Sequence, residues 1–171
     1  MPFQARAAGR LMSVAELTQQ ADVVVRARIT GFSSAIMDTP QGKFPFILYQ
    51  AKTTTLIAGN CPASFVVRVP GLISANRIIA PSDAPALSPG SEAVFFLRHG
   101  WGVSASDAIY DVVGLAAGVL PVVSAGPETV VIVPINNPAN PAHDRIRVKL
   151  GDLSAQVTAA RQDQRPEEGK P

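Results

Sequence analysis

The chain has 171 residues, the size of one domain, and its 47 % apolar content against 16 % charged residues provides for a sizeable core. Its formal net charge is +2, and residues 31–143 carry five basic against six acidic groups, so no basic block supports a nucleic-acid footprint. Cys61, the single cysteine, excludes an internal disulfide and a cysteine-based metal cluster, and no apolar run reaches the ~20 residues of a membrane-spanning helix.

The apolar residues are mostly Val, Ile and Ala, and branching at Cβ suits a pleated surface. Fifteen Pro and thirteen Gly imply many turns and few long helices, so the composition predicts a mostly β domain. Residues 1–12 read as a flexible N-terminus. Ser13-Val14-Ala15-Glu16 is a capping box, which predicts a short helix through about Gln20. Asp22–Thr30 alternates, with Val23, Val25, Ala27 and Ile29 on one face and Val24, Arg26, Arg28 and Thr30 on the other, as a strand does. Gly31–Lys43 contains Asp, Pro and Gly and reads as a loop. Phe46–Ile57 is a long strand, expected to bend or carry a bulge. A turn at Ala58-Gly59-Asn60 leads to a third strand, Ser64–Val69, and Pro70–Gly90 is a long connection.

Ser91–Arg98 is the fourth strand. It is apolar at every position from Ala93 to Leu97, the pattern of a strand buried on both faces. A hairpin tip at His99–Ser106 precedes a fifth strand, Ala108–Val113, and Gly118–Val123 extends the sheet after a kink. Thr129–Ile135 is a further apolar run. Asn136–His143 is a surface loop. Arg145–Leu150 alternates between Ile146, Val148, Leu150 and Arg145, Arg147, Lys149, which predicts an edge strand whose charges discourage further pairing. Asp152 is expected to cap a closing helix to about Arg161, with Leu153, Gln156, Val157 and Ala160 on its inner face. Residues 162–171 are polar and charged and read as a disordered tail.

The order of these pieces carries a resemblance. Ala21-Asp22-Val23-Val24-Val25-Arg26-Ala27-Arg28 follows the short helix, and the Thr/Val-rich strand Tyr49–Ile57 leads into Leu56-Ile57-Ala58-Gly59. Then come Val67-Arg68-Val69-Pro70-Gly71, Pro85-Ala86-Leu87-Ser88-Pro89-Gly90-Ser91-Glu92 ahead of Val94-Phe95-Phe96-Leu97, and Tyr110-Asp111-Val112-Val113-Gly114. Over residues 13–123 this resembles a loose class of small bacterial exported proteins of uncharacterised function. The resemblance implies a five-stranded, OB-like antiparallel barrel, similar in shape to the inhibitory domain of tissue inhibitors of metalloproteinases. Those inhibitors block a catalytic zinc with an N-terminal cysteine, which this chain lacks, so that activity does not carry over. The expected organisation is a barrel over 13–125, with 126–161 as a C-terminal strand and helix extension packed on it. The resemblance also implies an extracytoplasmic protein, periplasmic, cell-surface or secreted, whose export signal lies outside this sequence. A cytoplasmic protein is the alternative.

Few residues point to chemistry. His99 and His143 could hold a metal only with carboxylates such as Asp107 or Asp144, and their spacing does not suggest it. No Gly-x-Ser-x-Gly elbow is present, and Asp107 with Asp111 lacks the second carboxylate cluster of a glycosidase. Gly114–Gly118 lacks the Gly-Lys-Ser/Thr ending of a phosphate loop. No catalytic residue, cofactor or metal site is therefore assigned. The expected function is a non-catalytic binding or accessory module, acting through a protein partner or as a subunit of a larger assembly, with peripheral association with a membrane assembly as one form of this. A cryptic enzyme or peptidase-inhibitor-like module with a site in the barrel loops is the alternative, and a single-stranded nucleic-acid-binding OB module is a second. The candidate partner contacts are His99 and Trp101. Trp101 is the single tryptophan, set between Gly100 and Gly102, where it either docks a partner or caps the end of the barrel.

Overall fold

The computed structural model describes residues 11–85, 87–134 and 145–164. The predicted N-terminal and C-terminal tails fall largely outside these, and so do His143 and Asp144. Two helices and ten strands follow in order: α1 (Val14–Gln20), β1 (Val23–Thr39), β2 (Gly42–Ala58), β3 (Ser64–Pro70), β4 (Leu72–Ser74), β5 (Arg77–Ile79), β6 (Glu92–His99), β7 (Ile109–Val112), β8 (Val119–Ala125), β9 (Glu128–Pro134), β10 (Arg145–Lys149) and α2 (Leu150–Gln162). The protein is mostly β, as composition requires, with a short helix near each end.

One large sheet dominates. Its strands run β1-β2-β3-β7-β6-β8-β9-β10, and β1 also pairs with β6, so the pairings β1-β2-β3-β7-β6-β1 form a ring. The ring is uneven, because β1 and β2 have 17 residues each and β7 has four. Its pairings are antiparallel except β3–β7, which is parallel. The expectation of wholly antiparallel pairing is corrected there. The long connection through β6 lets β7 reach β3 in the same direction, as only a long crossover can.

Alternation along β1 and β6 divides the apolar residues between two cores. Val23, Val25, Ala27 and Ile29 of β1 meet Phe95 and Leu97 of β6 and Val67 and Val69 of β3 in the ring core. Val24 of β1 points the other way. It meets Val94 and Phe96 of β6, Leu17 of α1, Leu120 of β8, Val131 of β9, and Leu153 and Val157 of α2. All five residues from Ala93 to Leu97 are buried, as their sequence requires.

The capping box forms as expected: the Glu16 amide donates to Ser13 Oγ at 3.2 Å, and the Ser13 amide to Glu16 Oε2 at 2.8 Å. β10 lies at the sheet edge and pairs with β9 alone. The bulge expected in the long strand is present, since the register between Val24–Ala27 and β2 passes over Ile57 and Thr54.

Three expectations are corrected. Gly31–Lys43 is not a loop: β1 continues to Thr39 and pairs with β2 down to Gly42, making a two-stranded ribbon that runs past the ring. Asp38, Pro40 and Gly42 are turn formers, and the strand state comes from pairing with β2. Asp152 does not cap α2. Lys149, extended at the end of β10, holds the N-cap position, and Asp152 lies in the first turn, where a carboxylate favours the positive end of the helix dipole. Gln156 is exposed, because the buried stripe of α2 is Leu153, Val157 and Ala160.

Candidate functional site

The outer face of β3 carries the exception to an apolar strand. Val67 and Val69 enter the ring core, so Arg68 between them faces outward. It is nevertheless only 4 % exposed. Asp111 of β7 stands beside it in register and takes a bidentate pair, Nε to Oδ1 and Nη2 to Oδ2, both at 2.8 Å. Nη2 also donates to the Trp101 carbonyl at 2.8 Å, and the guanidinium lies 4.7 Å from the centre of the Phe46 ring. These contacts compensate the loss of hydration that a buried cation would otherwise suffer.

The tip between β6 and β7 is fixed by the same group. The Trp101 amide donates to Asp111 Oδ2 at 3.0 Å, and the Gly100 amide donates to the Ile109 carbonyl at 2.8 Å. A side chain at residue 100 would meet Val103 Cγ2 at 2.7 Å and the Ile109 carbonyl at 2.8 Å, so only glycine fits the close crossing. Gly102 at φ +74° completes the turn. The Trp101 backbone is thus held while its side chain stays 51 % exposed.

Facing the tip, the ribbon presents Phe44 and Phe46, with ring centres 5.4 Å apart. Phe46 is buried against Arg68, and Phe44 remains 47 % exposed. Between ribbon and tip lies a cleft of about 410 Å³, lined chiefly by Phe44, Phe46, Arg68, Arg98 and Trp101, with Thr39 and Gln41 at the ribbon turn. Arg98 of β6 stands next to Asp111 in register but makes no ion pair among the described residues. Both Asp111 oxygens are already taken by Arg68 and the Trp101 amide.

Trp101 therefore lies on the cleft. His99 is exposed too, but its ring packs 5.2 Å from Tyr110, a residue of the ring core, and it does not line the cleft. The structure does not bring these two candidates together in one site. Asp107 ends a 3-10 turn, Ala105–Asp107, while Asp111 is bound to Arg68, so they are not a strand-borne pair. Cys61 is half-buried, packs on the ring core and has its thiol pKa pushed up by burial, partly offset by hydrogen bonds with Thr53 and Tyr110. That keeps it protonated, which is unsuited to nucleophilic attack. Among the described residues no three His, Cys, Asp or Glu side chains converge to hold a metal ion.

Sequence reasoning did not single out Phe44, Phe46, Arg68, Arg98 or the role of Asp111. One signal was present: a lone arginine inside the apolar run Phe65–Val69 needs a partner if its strand is packed on both sides. No protein-family model matches the chain, and no curated protein matches it.

Proposed function

We propose that this chain is a non-catalytic binding module built on an OB-type barrel, which works outside the cytoplasm and takes a protein partner in the cleft between the ribbon and the Trp101 tip. The carrying observation is that Phe44 and Trp101 remain about half exposed in the lining of one cleft, beside a bidentate ion pair in which Arg68 is buried. Exposed aromatic residues beside a fixed frame are the material of binding hot spots. OB barrels use this region, the face of their second and third strands with the loops at one end, to bind ligands. The ring of five pairings and the resemblance over residues 13–123 support the barrel. The resemblance alone supports the extracytoplasmic location. Among the described residues no helix is long and apolar enough to cross a membrane. The non-catalytic reading is supported by the chemistry in the cleft, where its one carboxylate is consumed by Arg68.

The test is capture from the native source with tagged wild-type protein and with a Phe44→Ala/Trp101→Ala variant whose circular dichroism matches wild type. The expected result is one protein retained by the wild type and lost by the variant. A partner retained equally by both would place binding elsewhere and overturn the assignment of the cleft.

A further inference from the structure

Resting on that reading, we infer that the cleft selects a protein segment in which a large apolar side chain stands beside a single carboxylate. The charge inventory of the cleft leads there. Arg68 and Asp111 neutralise each other at 2.8 Å, with both carboxylate oxygens occupied. Arg98 is then the one cation of the lining without an ion pair among the described residues, so the open cleft presents one positive charge. Lys43 of the ribbon is already paired with Asp38 at 2.9 Å. A nucleic-acid strand brings one negative charge per phosphate and is held by a track of cations, and this cleft offers one. Apart from the uncharged Thr39 and Gln41, the remainder of the lining is aromatic or aliphatic, with Phe44 and Trp101 open to solvent, which fits one apolar side chain.

The backbone supplies the third argument. β3 pairs with β2 only from Phe46 inward, and no other strand joins β2 on that side between Gly42 and Phe44. On that stretch the alternation of the pairing with β1 turns the Lys43 amide and carbonyl outward, whereas the Gly42 carbonyl accepts from Thr39 Oγ1 and the Pro45 carbonyl from the Gly71 amide. An extended peptide can bond to the two Lys43 groups, with alternate side chains turned into the cleft. Neither a nucleotide strand nor a sugar chain has the amide backbone to do so.

Selection from a random-peptide phage library on the immobilised full chain tests this. The expected consensus places an aromatic or large aliphatic residue next to Asp or Glu. A selected peptide should shift the emission of Trp101, the sole tryptophan. Its Kd should rise about tenfold, the equivalent of ~1.4 kcal/mol, in Arg98→Gln or when its own Glu is changed to Gln, and the two changes together should cost no more than one. Arg98 is exposed, so Arg98→Gln is expected to keep the fold, checked by circular dichroism. Enrichment of peptides without an acidic residue, or equal Kd for the Glu and Gln peptides, overturns this inference and leaves the binding-module reading intact. Absence of any enriched peptide, with oligothymidylate retained and released by salt, overturns both in favour of a single-strand binder.

Discussion

Arg68 gives up nearly all of its hydration at the foot of the cleft, while its partner Asp111 keeps 20 % of its side chain exposed. That asymmetry makes the two ends of the pair unequal. Asp111→Ala strands a buried guanidinium and is expected to cost ~3–5 kcal/mol. Arg68→Met leaves a carboxylate that can turn to water, and should cost less. The double change should cost less than the sum of the two, as coupled partners do. Urea unfolding of the three variants checks this, and equal, additive losses would show that the pair is not a unit. A second cluster makes a prediction about pH. Glu92 is 14 % exposed and lies between Arg26, at 2.7 Å, and Arg28. The hydrogen bond from Arg28 holds its carboxyl below the usual range; burial opposes this, and Arg26 adds to the lowering. A folded pKa below the unfolded one stabilises at neutral pH, and the contribution is lost as pH falls through the folded value. Glu92→Gln should therefore lower stability at neutral pH and flatten its decline in acid, as measured by urea midpoints across that range.

Helix α2 is held by its apolar stripe and by long-range tethers at its C-terminal end, among them Gln164 Nε2 donating to the Gln19 carbonyl at 3.1 Å. Leu153 is fully buried in the second core, and Arg161 Nη2 donates to the carbonyls of Ala21 and Asp22 at 3.1 and 2.8 Å, where α1 gives way to β1. Leu153→Ala is expected to cost ~3–5 kcal/mol in chemical unfolding, since the surrounding β-sheet cannot collapse onto the cavity. The elements legible in sequence were those whose pattern is set locally or by burial. The capping box marked α1, alternation marked the ring half of β1 and the edge strand β10, and the unbroken apolar run marked β6. The outer half of β1 reads as a loop because Gly31, Asp38, Pro40 and Gly42 are turn formers; its strand state comes from pairing with β2, a non-local cause. The site divided in the same way. Trp101 stood out as the one tryptophan between glycines. Arg68 leaves a local trace as a lone arginine in an apolar run, but its partner Asp111, 43 positions away, leaves none, and Arg98 and Phe44 look like ordinary surface residues until ribbon and tip are brought to one cleft.

Across the whole molecule, β1 and β6 are common to both cores, with Val25 and Phe95 in one and Val24 and Phe96 in the other. Loss of either core removes a supporting face from strands the other needs, so the molecule should unfold in one step. Calorimetric and van't Hoff enthalpies should agree; two resolved transitions would refute the shared-strand account. The ribbon stands apart from this unit. Past Ala35 it has neither β6 nor β3 as a neighbour and runs on as two strands, with Ile36 open to solvent. One jaw of the cleft is therefore a springy lever and the other, pinned by Arg68, an anvil. A guest that grips both must quiet the lever. Amide hydrogens of Ile36–Asp38 should trade quickly with solvent in the empty protein and slowly in the occupied one, while those of β6 keep one rate throughout.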